Sequence, residues 1–160
     1  MMRAFRRVAA LCCLGLGFLP GCAAEPDALV GPTWQVTGLY LKPGDSGELP
    51  SSAAGLAAFS FGETTVTGST GCARVRGIVH FSKDGSPAAA READALAFEH
   101  LDVEDAQADC RGGAAHVDAA LRELLSGPYA VSRPSAAELV LTQRSEAIDA
   151  PVIRLTADVG

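Results

Sequence analysis

The chain has 160 residues, which allows one domain and a short leader. Hydrophobic residues make up 48% of it and charged residues 20%, a balance that is usual for a protein with a packed core. The formal net charge is −6, and the three arginines near the N-terminus have no acidic neighbour within residues 1–21, so the remainder is more acidic still. Such an acidic domain argues against binding to nucleic acid and against electrostatic attachment to anionic lipid.

Residues 1–21 are predicted to form a signal peptide. Arg3, Arg6 and Arg7 precede a short apolar run over residues 8–19, which is shorter than the ~20 residues that a membrane-spanning helix needs. The sequence that follows, Leu19-Pro20-Gly21-Cys22, resembles the bacterial lipobox, in which the cysteine is acylated, for example with palmitate, and becomes the new N-terminus. The alternative is an ordinary secretory signal with an incidental cysteine. We expect lipidation at Cys22.

This leader predicts a lipoprotein that is anchored in a membrane of the cell envelope and faces outside the cytoplasm. Residues 22–31 are predicted to be a short tether and residues 32–158 the folded domain. The acyl chains, rather than charge, would hold this acidic protein at the membrane.

Alternation of apolar and polar residues predicts a series of short strands. They cover residues 34–41, 57–61, 64–67, 75–81, 96–103, 129–131, 138–142 and 152–156. In the first strand, Trp34, Val36 and Tyr40 are expected to share one face. A slip of phase at Glu99-His100 predicts a β-bulge.

One helix stands out before the last three strands. Its apolar positions, at helical spacing, are Val117, Leu121, Leu124 and Leu125. Asp118 and Arg122 are expected to form an ion pair on the opposite, exposed side, and Gly127-Pro128 ends the helix. The predicted fold is therefore α+β: a curved, mainly antiparallel sheet, open and barrel-like, with one principal helix packed on it.

The order of these motifs resembles the META domain family, the HslJ-like heat-shock lipoproteins. The resemblance spans residues 32–155 and rests on the following segments: Thr33-Trp34-Gln35-Val36, Gly68-Ser69-Thr70-Gly71-Cys72, Leu96-Ala97-Phe98, Asp109-Cys110 before the helix, Tyr129, and Leu139-Val140-Leu141. It implies a fold and an envelope compartment. The family has no established enzymatic reaction, so the resemblance implies no activity.

Cys72 and Cys110 are predicted to form a disulfide, because an exported protein meets an oxidising compartment where two thiols normally pair. The alternative is a metal site that combines these cysteines with His80, His100 or His116. The spacing contains no C-x-x-C or H-x-x-x-H element, so we expect no metal site. The acidic side chains before Cys110 are expected to form a solvated face rather than a calcium site; they are Glu99, Asp102, Glu104, Asp105 and Asp109.

No G-x-S-x-G elbow occurs, and no set of nucleophile, base and acid is evident, so we expect a protein that is not an enzyme and needs no cofactor. The first hypothesis is an envelope lipoprotein that binds another envelope component or supports envelope integrity and stress tolerance. The alternative is a carrier of a small ligand in a groove of the sheet. That groove would be lined by Trp34, Tyr40, Phe59 and Phe61.

Overall fold

The computed structural model describes residues 29–157. Nine strands and one helix are present in this part of the chain. The strands are β1 (Thr33–Tyr40), β2 (Ala57–Phe61), β3 (Thr65–Thr70), β4 (Arg74–Lys83), β5 (Ser86–Pro87), β6 (Ala95–Val103), β7 (Pro128–Ser135), β8 (Glu138–Gln143) and β9 (Val152–Ala157). The helix α1 spans Gly112–Leu124, and short 3₁₀ turns cover Ser51–Ala53 and Ala90–Glu92.

Eight of these strands close into an antiparallel barrel in the order β3-β2-β1-β9-β8-β7-β6-β4, and β4 pairs back on β3. The predicted α+β class with a barrel-like sheet is confirmed, but the prediction of an open sheet is wrong. Closure depends on the β3–β4 register from Thr65↔Ile78 to Ser69↔Arg74 and on a short β6–β7 contact over residues 95–97. A closed barrel provides hydrogen-bonding partners for strands that would otherwise be edges.

A β-bulge in β1 changes which side chains face the interior. The β1–β9 register shifts between Val36 and Gly38, so that Leu39 pairs with the buried Ile153 and Tyr40 pairs with Val152. One extra residue in a strand moves every following side chain to the other face. Leu39 therefore faces the core, and the prediction that Tyr40 shares a face with Trp34 and Val36 is wrong.

The bulge predicted in β6 is present. The β4–β6 register shifts opposite Arg76 and Ile78, and His100 adopts a left-handed backbone conformation with φ +48°. Left-handed conformation is uncommon outside glycine, although histidine is among the residues that tolerate it best.

Side chains fill the interior of the barrel, as expected for eight strands. Those that are almost fully buried include Trp34, Val36, Val66, Leu96, Tyr129, Leu139, Leu141, Ile153 and Leu155. The helix α1 packs against the first 3₁₀ turn and against β3 and β1, and its predicted apolar stripe is buried. Within residues 29–157, no helix is both long enough and apolar enough to span a bilayer.

The folded domain begins earlier than residue 32. Leu29 is fully buried, its carbonyl oxygen accepts a hydrogen bond from the Trp34 indole at 3.0 Å, and Val30 forms a parallel bridge with Phe61. Residues 29–31, assigned to the tether from sequence, thus include part of the domain. The signal peptide, Cys22 and the rest of the tether lie outside the described residues.

Candidate functional site

Cys72 and Cys110 form a disulfide, as predicted, with their Cα atoms 5.4 Å apart. Cys72 is buried in the turn between β3 and β4, whereas Cys110 stands two residues before α1. The amide N–H of Gln107 also donates to the carbonyl of Cys72 at 3.0 Å. The cross-link therefore fixes the entrance of the helix to the end of the β3–β4 hairpin.

A buried polar network runs beside this disulfide. The Thr70 hydroxyl donates to the carboxylate of Asp118 and accepts from the Ala73 amide at 3.0 Å. Both Thr70 and Asp118 are buried. The second carboxylate oxygen of Asp118 accepts from Arg122 Nε at 2.8 Å, and Arg122 Nη2 donates to the carbonyl of Glu104 at 2.7 Å.

The ion pair predicted between Asp118 and Arg122 therefore forms, and Arg122 is exposed as predicted, but the Asp118 side chain is buried. Asp118 lies three residues before Leu121 and seven before Leu125, so its side chain is at the border of the apolar stripe. This spacing is the signal in the sequence that could have indicated its burial. The network ties α1 to the β3–β4 turn and to the chain that leaves β6.

The four aromatic residues predicted to line a ligand groove do not lie together. Trp34, Phe59 and Phe61 are 1%, 3% and 4% exposed and pack in the barrel core. Tyr40 is on the outer surface of the barrel because of the bulge in β1. Burial, followed by the charges of Asp149 and Asp45, raises the pKa of its hydroxyl.

Two cavities open on the outside of the domain. The larger, of about 980 Å³, lies over the outer faces of β1, β9 and β8, and Tyr40, Arg154 and Asp149 are among its lining residues. The smaller, of about 390 Å³, lies between α1 and the chain that connects β1 to the first 3₁₀ turn. Its helical wall is formed by His116, Ala120 and Glu123.

His80 and His100 both contact one exposed carboxylate, that of Glu99. His80 Nε2 hydrogen-bonds to one carboxylate oxygen, and His100 Nε2 lies 3.2 Å from the other. The hydrogen bond from His80, with smaller contributions from the charges of both histidines, lowers the pKa of Glu99. Over residues 29–157, no group of three or more His, Cys, Asp or Glu side chains is arranged to hold a metal ion.

Two further polar groups named in the sequence analysis, Ser69 and the acidic Asp102, have local partners. The Ser69 hydroxyl accepts from the Gly71 amide at 3.0 Å and so stabilises the turn in which it lies. Asp102, in the acidic stretch, pairs with Arg76 at 2.9 Å across the β4–β6 ladder. These contacts are those of a stabilised turn and of a solvated sheet face.

Comparisons with known proteins show the fold alone. No model of a protein family matches the chain, and no curated protein matches it. Among solved structures, the chain is similar to the NMR structure of a protein from Burkholderia xenovorans, with 17% sequence identity and a TM-score of 0.58. The similarity covers 91% of this chain and 100% of that one.

Proposed function

We propose that this chain is a bacterial envelope lipoprotein with a META-like domain that acts by binding rather than by catalysis. Acylation at Cys22 would anchor it in a membrane, outside the cytoplasm. Its partner would be another envelope component, and its role would be to support envelope integrity or stress tolerance.

The observation that carries this proposal is the disulfide between Cys72 and Cys110. Disulfides persist in oxidising compartments and are rare in the reducing cytosol, so the bond supports export. The leader also supports export, because its apolar run ends in a lipobox-like sequence at Cys22.

The filled barrel supports a role that uses the outer surface. An eight-stranded barrel can hold one small ligand if its interior is left open, but here the interior positions are occupied by large side chains such as Trp34 and Tyr129. Both described cavities lie outside the barrel wall, where a partner or ligand could reach them.

Membrane attachment is tested with the Cys22→Ala variant, using Cys13→Ala, within the apolar run, as a matched control. Wild-type protein and Cys13→Ala should incorporate labelled palmitate and partition into the detergent phase. Cys22→Ala should do neither, because the acyl chains contribute about 0.8 kcal/mol per buried CH₂. Wild-type protein released with an unmodified N-terminus would contradict the proposal.

A second candidate function is that of a small-ligand carrier, and the cavity of about 980 Å³ that includes Tyr40 favours it. Native mass spectrometry of protein isolated from its cells tests this function. A carrier should retain a ligand that is lost in Tyr40→Ala. Wild-type protein isolated without a ligand would contradict the carrier function and leave only the first proposed function.

A further inference from the structure

The smaller outer cavity has the features of a preformed site. Its volume of about 390 Å³ is at the lower end of the range for small-molecule sites. His116, Ala120 and Glu123 follow one another at i, i+4 and i+7, so they lie on one face of α1 and form one wall. The chain from Leu41 to Pro50 forms the opposite wall.

This second wall is fixed to the barrel by its backbone. The amide of Leu39 donates to the carbonyl of Gly47 at 3.0 Å, and Gly38 forms an antiparallel bridge with Glu48. A Cβ atom at Gly38 would lie 2.8 Å from the Gly47 oxygen, so only glycine permits this close approach. Because the segment is already ordered, ligand binding would cost little free energy for ordering it.

Asp45 holds the turn at the start of the segment. Its carboxylate accepts from the amides of Leu41 and Lys42 at 3.2 and 3.1 Å, and its own amide donates to the Lys42 carbonyl at 3.1 Å. The Asp45 carboxylate is thus engaged with the backbone. Among residues 29–157, the carboxylates of Glu48 and Glu123 have no ion-pair partner within the cavity or elsewhere.

The lining combines an apolar surface with a negative rim. The apolar part comes from the half-buried Leu41, Leu49 and Pro50, backed by the buried Leu39 and Ala120. Three carboxylates, those of Asp45, Glu48 and Glu123, line the cavity together with one ammonium, that of the exposed Lys42, and the imidazole of His116. An apolar surface beside unpaired carboxylates is complementary to an apolar group that carries a positive charge.

We propose that this cavity binds a small amphiphilic cation, an alkyl- or arylammonium compound, with its apolar part on the leucine surface and its ammonium group beside Glu48 and Glu123. This inference rests on the proposed binding role but not on lipidation at Cys22. It assigns the site to the space between α1 and the segment that follows β1. Ser46, Gly47 and Glu48 of this segment also line the neighbouring cavity that contains Tyr40.

The test uses three probes of equal chain length and different charge: hexylammonium, hexanol and hexanoate. Each is titrated into the purified protein in detergent, and binding is followed by the amide NMR signals of Leu39, Leu49 and Ala120. Hexylammonium should bind tightest, with a Kd of about a millimolar for so small a ligand. Hexanol should bind more weakly and hexanoate weakest.

Single substitutions then assign the contacts. Glu48→Gln and Glu123→Gln should each weaken hexylammonium binding roughly two- to fivefold, as expected for partly exposed charge pairs. Glu63→Gln, in the exposed turn between β2 and β3, is the matched control and should change nothing. Ala120→Leu, which adds three carbon atoms to the helical wall, should weaken binding of all three probes by narrowing the cavity. If that variant does not fold, the glutamine variants still decide the outcome.

Tighter binding of hexanoate, lost in Lys42→Ala, would overturn the assignment of a cation. An absence of shifts at the three cavity residues would overturn the site itself. Failure here is distinct from failure of the proposed function. A palmitoylated protein that binds no hexylammonium refutes only the cavity proposal, and an unlipidated protein that binds it refutes only the membrane anchor.

Discussion

Thr70, at the end of β3, hydrogen-bonds through its hydroxyl to the carboxylate of Asp118 on α1, and both side chains are buried. The same hydroxyl accepts from the Ala73 amide, so one side chain stabilises the β3–β4 turn and holds the helix to it. The disulfide from Cys72 to Cys110 joins the same two parts of the fold. The helix is thus attached to the barrel by a covalent bond and by a buried polar network.

The coupling between Thr70 and Asp118 can be measured with a double-mutant cycle. Thr70→Val and Asp118→Asn should each lower the free energy of unfolding by about 1–3 kcal/mol, because each leaves a buried polar group with a missing or weakened partner. In urea denaturation, the free energy of unfolding lost by the double variant should be about 0.5–3 kcal/mol smaller than the sum of the two single losses. Strictly additive losses would mean that the two side chains do not interact in solution.

Arg122→Ala should be destabilising, although the sequence alone suggests an exposed and dispensable side chain. Its guanidinium bridges the buried Asp118 carboxylate and the Glu104 carbonyl, so its removal leaves the carboxylate incompletely paired. We expect a loss of about 1–3 kcal/mol in the free energy of unfolding. Arg91→Ala is the control: Arg91 is exposed and pairs with its neighbour Glu92 at 3.7 Å, so its loss should be about 0–1 kcal/mol.

Leu121→Ala should lower the free energy of unfolding by about 2–5 kcal/mol, since Leu121 is fully buried on the inner face of α1. The same substitution at Leu56, which is 45% exposed, provides a matched control and should have a much smaller effect. Thermal unfolding of the two variants measures the difference. Equal melting temperatures would show that the face of α1 is assigned wrongly.

The disulfide should account for a large part of the stability. Its cysteines are 38 residues apart in sequence, for which restriction of the unfolded chain suggests about 3–4 kcal/mol. Reduction should lower the urea midpoint, and Cys72→Ser should be as destabilising as the Cys72→Ser, Cys110→Ser double variant, because each breaks the same bond. Titration of the unfolded, exported protein should find no thiol at either position. Two reactive thiols there would refute the bond.

Glu99 should make stability depend on acid pH. Its pKa in the folded protein is below its ordinary value of 4.5 because of the His80 hydrogen bond, so the folded state favours ionised Glu99. The stabilisation that comes from ionised Glu99 is complete at pH values above the ordinary pKa. It is lost as the pH falls through the lower pKa that Glu99 has in the folded protein. His80→Ala should return the pKa of Glu99 towards its ordinary value in carboxyl-carbon NMR. Glu63→Gln, by contrast, should leave it unchanged.

The sequence by itself determined the elements and the cross-link. Alternation of apolar residues placed the strands close to their observed positions, and the spacing of Val117, Leu121, Leu124 and Leu125 placed the helix, because both patterns are local. The cysteine pair followed from the expected compartment and from the small number of thiols left outside the leader. Even the bulge at His100 was visible as a slip of phase.

Only the tertiary structure decided how these elements meet. Closure of the barrel depends on pairings between distant strands, such as β1 with β9, which local periodicity does not encode. The bulge after Val36 breaks no obvious pattern in the sequence, yet it moves Tyr40 to the outer surface, away from Trp34, Phe59 and Phe61 in the core. Asp118 sits at the border of the helical stripe, and its contact with Thr70 of β3 buries its carboxylate, whereas Arg122 stays exposed. Local patterns fix where strands and helices form, whereas long-range contacts fix which of their faces water can reach.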